Sequence, residues 1–154
     1  MGKRRRAREL ALQFLYEYDA LRESAGDSLN PEKQLSFFWE RSGVDVDSDT
    51  LEFCTTLIKG SCANKEYIDN IIAKYSKHWT VSRMSTIDRN VLRLAIYELV
   101  YLSNIPAPVT INEAIELGKK FGTEESGSFI NGILDKIKLS QEKGEFGNDE
   151  RSNC

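Results

Sequence analysis

Proline, cysteine and histidine are scarce in this sequence, with three, three and one in 154 residues. Few prolines leave long stretches in which nothing interrupts a helix. The cysteines are Cys54, Cys62 and Cys154, an odd number. Cys54 and Cys62 stand eight residues apart in a helical stretch, about 12 Å along its axis, too far for a disulfide. The pattern predicts reduced thiols and a cytoplasmic location. A single histidine, His78, and the absence of a Cys-x-x-Cys pair argue against zinc, and no metal is expected. No run approaches the ~20 apolar residues of a membrane span. Glu9, Gln13, Glu17 and Asp19 break the opening stretch, so it reads as neither a secretory leader nor an acid-poor transit peptide. Period-two alternation is missing, which excludes a sheet protein. Also missing are a glycine-rich phosphate loop and a Gly-x-Ser-x-Gly elbow.

What remains is ordinary in bulk and uneven in detail. Hydrophobic residues make up 40% and charged residues 29%, a balance that suits one globular domain with a real core. Charge is polarised. Lys3, Arg4, Arg5, Arg6 and Arg8 crowd the first eight residues of a chain whose net charge is -3, so the rest carries -8. An acidic protein with a local basic end can still bind a polyanion.

The periodicities predict seven helical segments and an all-α bundle. Residues 3–22 carry a stripe of Ala7, Leu10, Ala11, Phe14, Tyr18 and Leu21. Asn30 followed by Pro31 is a start signal for a second helix, which buries Leu35, Phe38 and Trp39. Asp47 or Ser48 caps a third, with Leu51, Cys54, Leu57 and Ile58 inward. Asn64 opens a fourth, burying Tyr67, Ile68, Ile71 and Ile72. STIDRNVLRLAIYELVYL, residues 85–102, is apolar nearly all round from Val91 and belongs at the centre of a bundle. Pro106 and Pro108 end it. Thr110-x-x-Glu113 reads as a capping box that starts the next helix, and Gly122 as its left-handed stop. A last helix spans about Glu124 to Leu139, with Phe129, Ile130, Ile133, Leu134 and Ile137 on its inner side. Residues 1–140 are expected to form a single all-helical domain. Residues 141–154 read as a flexible polar tail.

No catalytic set emerges, and the chain reads as a binder rather than an enzyme, without a cofactor. His78, beside Trp79, is expected at the surface or an interface. Glu98, inside the apolar central helix, is the best candidate for a perturbed carboxylate; the simpler reading is a buried acid held by an arginine or a backbone donor. Asp45, Asp47, Asp49 and Glu52 lack the glycine-centred loop and closing glutamate of a calcium site. Capping and solvation account for them.

The basic end is the distinctive feature. On a helical wheel Arg4 and Arg8 flank the buried stripe, while Arg5, Leu12 and Tyr16 fall on the side away from it. Cations and an aromatic ring on one outer strip suit single-stranded nucleic acid, since guanidiniums hold phosphates and a phenol offers a base a flat surface. A solvated arginine-rich terminus is the plainer alternative. The helix dipole disfavours cations at an N-terminus, so a role outside helix stability is expected. Lys119 and Lys120 form a second basic patch. Phe129 lies nearby in sequence, at the edge of its stripe, either half exposed or an ordinary core ring.

RRRAREL with ALQFLY, STIDRNVLRLAIYEL, TINEAIELGKKFG and SFINGILDKI follow one another in an order that resembles the NusB family of bacterial transcription antitermination proteins, from about Lys3 to Ile137. The resemblance implies an all-helical RNA-binding protein of two packed helical subdomains, here roughly 1–80 and 81–140, that binds the boxA element of nascent ribosomal RNA. It implies a partner, the small-subunit ribosomal protein NusE, and a complex with RNA polymerase and other Nus factors that supports ribosomal RNA transcription. By the same resemblance Arg4, Arg5, Arg6, Arg8, Tyr16, Glu125 and Phe129 belong to the RNA site; the basic patch of Lys119 and Lys120 is expected, from its charge, to add phosphate contacts. Asp88 lies near the protein partner. Ser128 stands where some relatives carry lysine. Two other readings stay open, a helical domain serving a ribosomal RNA cytosine methyltransferase and a pure protein adaptor. Homodimerisation is also compatible.

Overall fold

The computed structural model describes residues 2–77 and 80–144. His78, Trp79 and Cys154 lie outside them, as do residues 145–154 of the expected tail; residues 141 and 142, expected in that tail, are helical. Among the described residues there are seven α-helices and no strand. They are α1 (Gly2–Ala25), α2 (Pro31–Ser42), α3 (Ser48–Ala63), α4 (Lys65–Ser76), α5 (Thr86–Tyr101), α6 (Ala107–Phe121) and α7 (Ser126–Glu142). The chain forms two compact units, Met1–Ala63 and Asn64–Cys154. α4 therefore belongs to the second unit, whereas the sequence placed the division near residue 80.

In the first unit α1 packs along α3, and α2 closes against both. Local chemistry sets the helix starts. Asn30 Oδ1 accepts from the Glu32 and Lys33 N–H groups at 2.9 and 3.3 Å, with Pro31 in the first helical position. Asp47 Oδ1 accepts from the Thr50 N–H at 2.8 Å. Gly43 closes α2 at φ 62°, a conformation glycine adopts without a Cβ penalty. The core is aromatic at one end. Phe14 stacks on Tyr18 at 5.6 Å and meets Phe38 edge-on at the same distance. Leu10, Leu57, Ile58 and Cys54 fill the rest. Leu21 lies outside that core and is exposed, because it sits in the last turns of α1.

In the second unit α5 is central and packs against α4, α6 and α7. Arg89 through Ile96 are all buried. Each fully buried aliphatic side chain, such as Leu92, Ile96 or Leu134, contributes about 1.5–3 kcal/mol of transfer free energy. The buried cations of α5 are partnered. Arg93 forks onto Asp69 with Nε–Oδ1 at 2.8 Å, and its second arm reaches Asn90 Oδ1 at 2.9 Å. Arg89 donates to the Ser82 and Met84 carbonyls. Asn64 opens α4 without a side-chain cap; its Oδ1 accepts from the Tyr101 hydroxyl instead.

Two expectations for this unit are corrected. Thr110 is not a cap. α6 begins at Ala107, after Pro106, with Pro108 in its first turn; the prolines start this helix one turn ahead of the threonine. Thr110 is buried in the helix body and donates to Glu98 Oε1 at 2.9 Å. So Glu98 is a buried acid, held here by a hydroxyl. Gly122 is not left-handed: its φ is -100° and its ψ -150°. Glycine is needed there for space, since a Cβ would overlap Ser126 Oγ and come to 2.8 Å from the Gly118 carbonyl oxygen.

Candidate nucleic-acid interface

The basic end is helical from Gly2 onward. α1 has no acid in its first turn to offset the dipole. The stabilising groups come from the start of α3, Asp47 just before it and Asp49 in its first turn. Lys3 Nζ lies 3.1 Å from Asp49 Oδ2 and 3.3 Å from Asp47 Oδ2. Asp49 first, then Asp47, raises the Lys3 pKa. The Thr50 backbone N–H, then the Thr50 side chain, holds the Asp47 carboxyl below its ordinary range, with a smaller contribution from Lys3. These side chains are exposed, so solvent screens the attraction.

The guanidiniums of Arg4 and Arg8 both lie over the Phe53 ring, at 4.8 and 5.4 Å from its centroid. Their exposures differ. Arg4 is open to solvent, whereas Arg8 is only 4% exposed. The sequence grouped Arg8 with the RNA-facing cations; the structure buries it, because the ring that covers it comes from a distant helix. Arg5 and Arg6 are exposed. Arg6 comes to 4.0 Å from Glu9, too long for a hydrogen bond. Tyr16 is 46% exposed. Leu12, expected on the same outer strip, is 3% exposed. The buried arc of α1 is wider than one stripe: Leu12, Leu15 and Asp19 are buried along with Ala7, Phe14 and Tyr18.

The second unit carries its own basic and aromatic groups, where α6 ends and α7 begins. Lys119 pairs with Glu116 at 3.8 Å, and Lys120 lies over the Phe121 ring at 5.3 Å. Phe121 is 44% exposed. The turn between the helices is tied by the Thr123 N–H to Ser126 Oγ at 2.9 Å. The Thr123 hydroxyl donates to Glu125 Oε2 at 3.3 Å. Glu125 is exposed and Phe129 half-buried, with the Phe129 N–H bonded to the Glu125 carbonyl. Gly118 and Gly127 let the two helices approach closely.

Asp88 sits in the first turn of α5, where its N–H donates to Ser85 Oγ at 3.1 Å. Its Oδ1 is buried with no hydrogen-bond partner among the described residues.

Sequence reasoning missed Phe53 and Phe121. Phe53 lies off the Leu51–Cys54–Leu57–Ile58 stripe, and nothing local marks it. Phe121 had a signal, an aromatic directly after Lys119 and Lys120. Among the described residues no group of three or more His, Cys, Asp or Glu is placed to hold a metal, and no helix is long and apolar enough to cross a membrane.

Residues 5–138 match the NusB family model. Similar curated proteins are named as transcription antitermination protein NusB. That of Geotalea daltonii is 49% identical over 142 residues, covering 91% of this chain and 97% of that protein. That of Thermodesulfovibrio yellowstonii is 46% identical over 138 residues, covering 88% and 91%. Among solved structures, T. maritima NusB aligns with a TM-score of 0.76 at 40% identity, over 87% of this chain and 89% of that one. A crystal structure of the antitermination factors NusB and NusE in complex with double-stranded RNA aligns with a TM-score of 0.75 at 28% identity, over 91% and 98%.

Proposed function

We infer the function from one premise: this chain belongs to the NusB family of transcription antitermination proteins. It acts by binding, not catalysis. We propose that its ligand is a short unpaired RNA of the boxA type in nascent ribosomal RNA leaders. NusE binds alongside, and the pair joins other Nus factors on RNA polymerase to support ribosomal RNA transcription.

The observation that carries this reading is the start of α1. Three exposed arginines, Arg4, Arg5 and Arg6, occupy a helix end that is electrostatically unfavourable for them, and an exposed Tyr16 lies further along the same helix. Guanidiniums neutralise phosphates, and the phenol stacks on a base. Arg8, buried over Phe53, supports rather than contacts. In the second unit Lys119 and Lys120 supply further phosphate contacts and the half-buried Phe129 a second stacking ring. Glu125 repels phosphate as a carboxylate. Its role is to order the turn through Thr123. NusE is assigned to the face that contains Asp88, in the first turn of α5.

A gel-shift titration tests the reading. A boxA-like single strand and a scrambled strand are each titrated with and without NusE. Tighter binding of the boxA-like strand, strengthened by NusE, supports it. Equal binding of both strands in both conditions rejects it. A NusE pulldown that survives ribonuclease while neither strand binds points instead to a protein adaptor.

A further inference from the structure

Residues 3–8 of α1 are fastened to the first turns of α3, and the centre of that attachment is one ring. Phe53 is half-buried and lies beneath two guanidiniums, Arg4 at 4.8 Å and Arg8 at 5.4 Å. A cation within about 6 Å of an aromatic centroid is attracted by the ring quadrupole. Ahead of them Lys3 is held by Asp47 and Asp49. The attachment answers a physical problem. The first turn of a helix leaves its N–H groups without intrahelical partners, and cations at that positive end of the dipole weaken it further. Frayed arginines would lose a fixed spacing, and ordering them on an RNA would cost conformational entropy.

We propose that Phe53 is a positioning residue of the nucleic-acid interface. Its ring fixes Arg8 as a buried strut and Arg4 as an exposed phosphate ligand, and so holds the first turns of α1 in the geometry an RNA backbone meets. The inference rests on the RNA-binding function proposed above. Phe53 itself touches no RNA.

The test uses the full chain and a labelled boxA-like single-stranded RNA at fixed low salt. Phe53→Leu keeps an apolar side chain but removes the quadrupole; Phe53→Tyr keeps the ring. Phe53→Leu is expected to weaken RNA binding roughly three- to tenfold, the size of one to two cation–π contacts, and to speed hydrogen exchange of the Arg5–Arg8 amides. Phe53→Tyr restores both. A double-mutant cycle separates positioning from general loss of stability. In an Arg4→Ala background, Phe53→Leu should cost clearly less affinity than in the wild type. Full additivity, or wild-type affinity for Phe53→Leu, overturns the positioning role while the RNA-binding function stands. Failure of the wild type to bind the RNA at all overturns both.

Discussion

The Thr110 hydroxyl donates to Glu98 Oε1 at 2.9 Å, and both groups are buried. This bond joins α6 to the central helix α5. Removing the donor leaves a buried carboxylate less well satisfied, which costs about 1–3 kcal/mol. Thr110→Val should therefore lower stability in urea by about that amount, while Thr110→Ser stays near wild type. Equal midpoints for Thr110→Val and wild type would show that the bond contributes nothing.

At the α6–α7 junction the constraint is steric. An alanine Cβ at Gly122 meets Ser126, which can adjust, and the Gly118 carbonyl, which cannot. Gly122→Ala should cost about 1–3 kcal/mol, as overpacking does. Because Gly122 is not left-handed, Gly122→Asn, often tolerated at left-handed stops, should be no better. A Gly122→Asn variant more stable than Gly122→Ala would restore the left-handed reading.

Burial pushes the Cys54 thiol up to about 12 from 9.0, an effect that Arg6 only partly offsets. At pH 8 its thiolate fraction is then on the order of a thousandfold below that of an unperturbed thiol. Peptide mapping after iodoacetamide treatment at pH 8 should find Cys62 modified well before Cys54. Comparable modification of Cys54 in the folded protein would contradict its burial.

The two stacking rings should behave differently. Tyr16→Ala is expected to weaken RNA binding by about 1–3 kcal/mol with little change in melting temperature, because the ring is 46% exposed. Phe129 is half-buried, so Phe129→Ala should lower both affinity and melting temperature. Parallel binding and melting measurements decide the matter. A Phe129→Ala variant that loses stability alone is a core mutant.

Most of the helices were legible because their signals are local. Asn30 with Pro31 and Asp47 with Thr50 act within one turn, and each formed as its residues prescribe. The apolar α5 and most of the α3 stripe were legible for the same reason; Cys54, Leu57 and Ile58 are buried, but Leu51, in the first turn of α3, is exposed. Thr110 misled because Thr-x-x-Glu fits a capping box, yet Pro106 and Pro108 can begin a helix as well as end one. Arg8 and Leu12 misled because a wheel assumes one buried face. The arc of α1 is broader, and the ring over Arg8 arrives from Phe53, 45 positions later in the chain. The preference for glycine at 122 was legible, but its cause was not, since the clash is with Ser126 and Gly118 rather than with its own backbone angles.

The central claim is that exposed arginines and lysines of this acidic chain neutralise RNA phosphates, and salt dependence tests it most directly. Affinity for a boxA-like single strand is measured by fluorescence anisotropy from 50 to 200 mM potassium chloride, about the range over which such contacts weaken strongly. If about four phosphates are neutralised, log affinity falls against log salt with a slope near ~-3. Replacing Arg5 and Arg6 with alanine together reduces the slope by about one to one and a half. A slope near zero, or one unchanged by those replacements, contradicts the account.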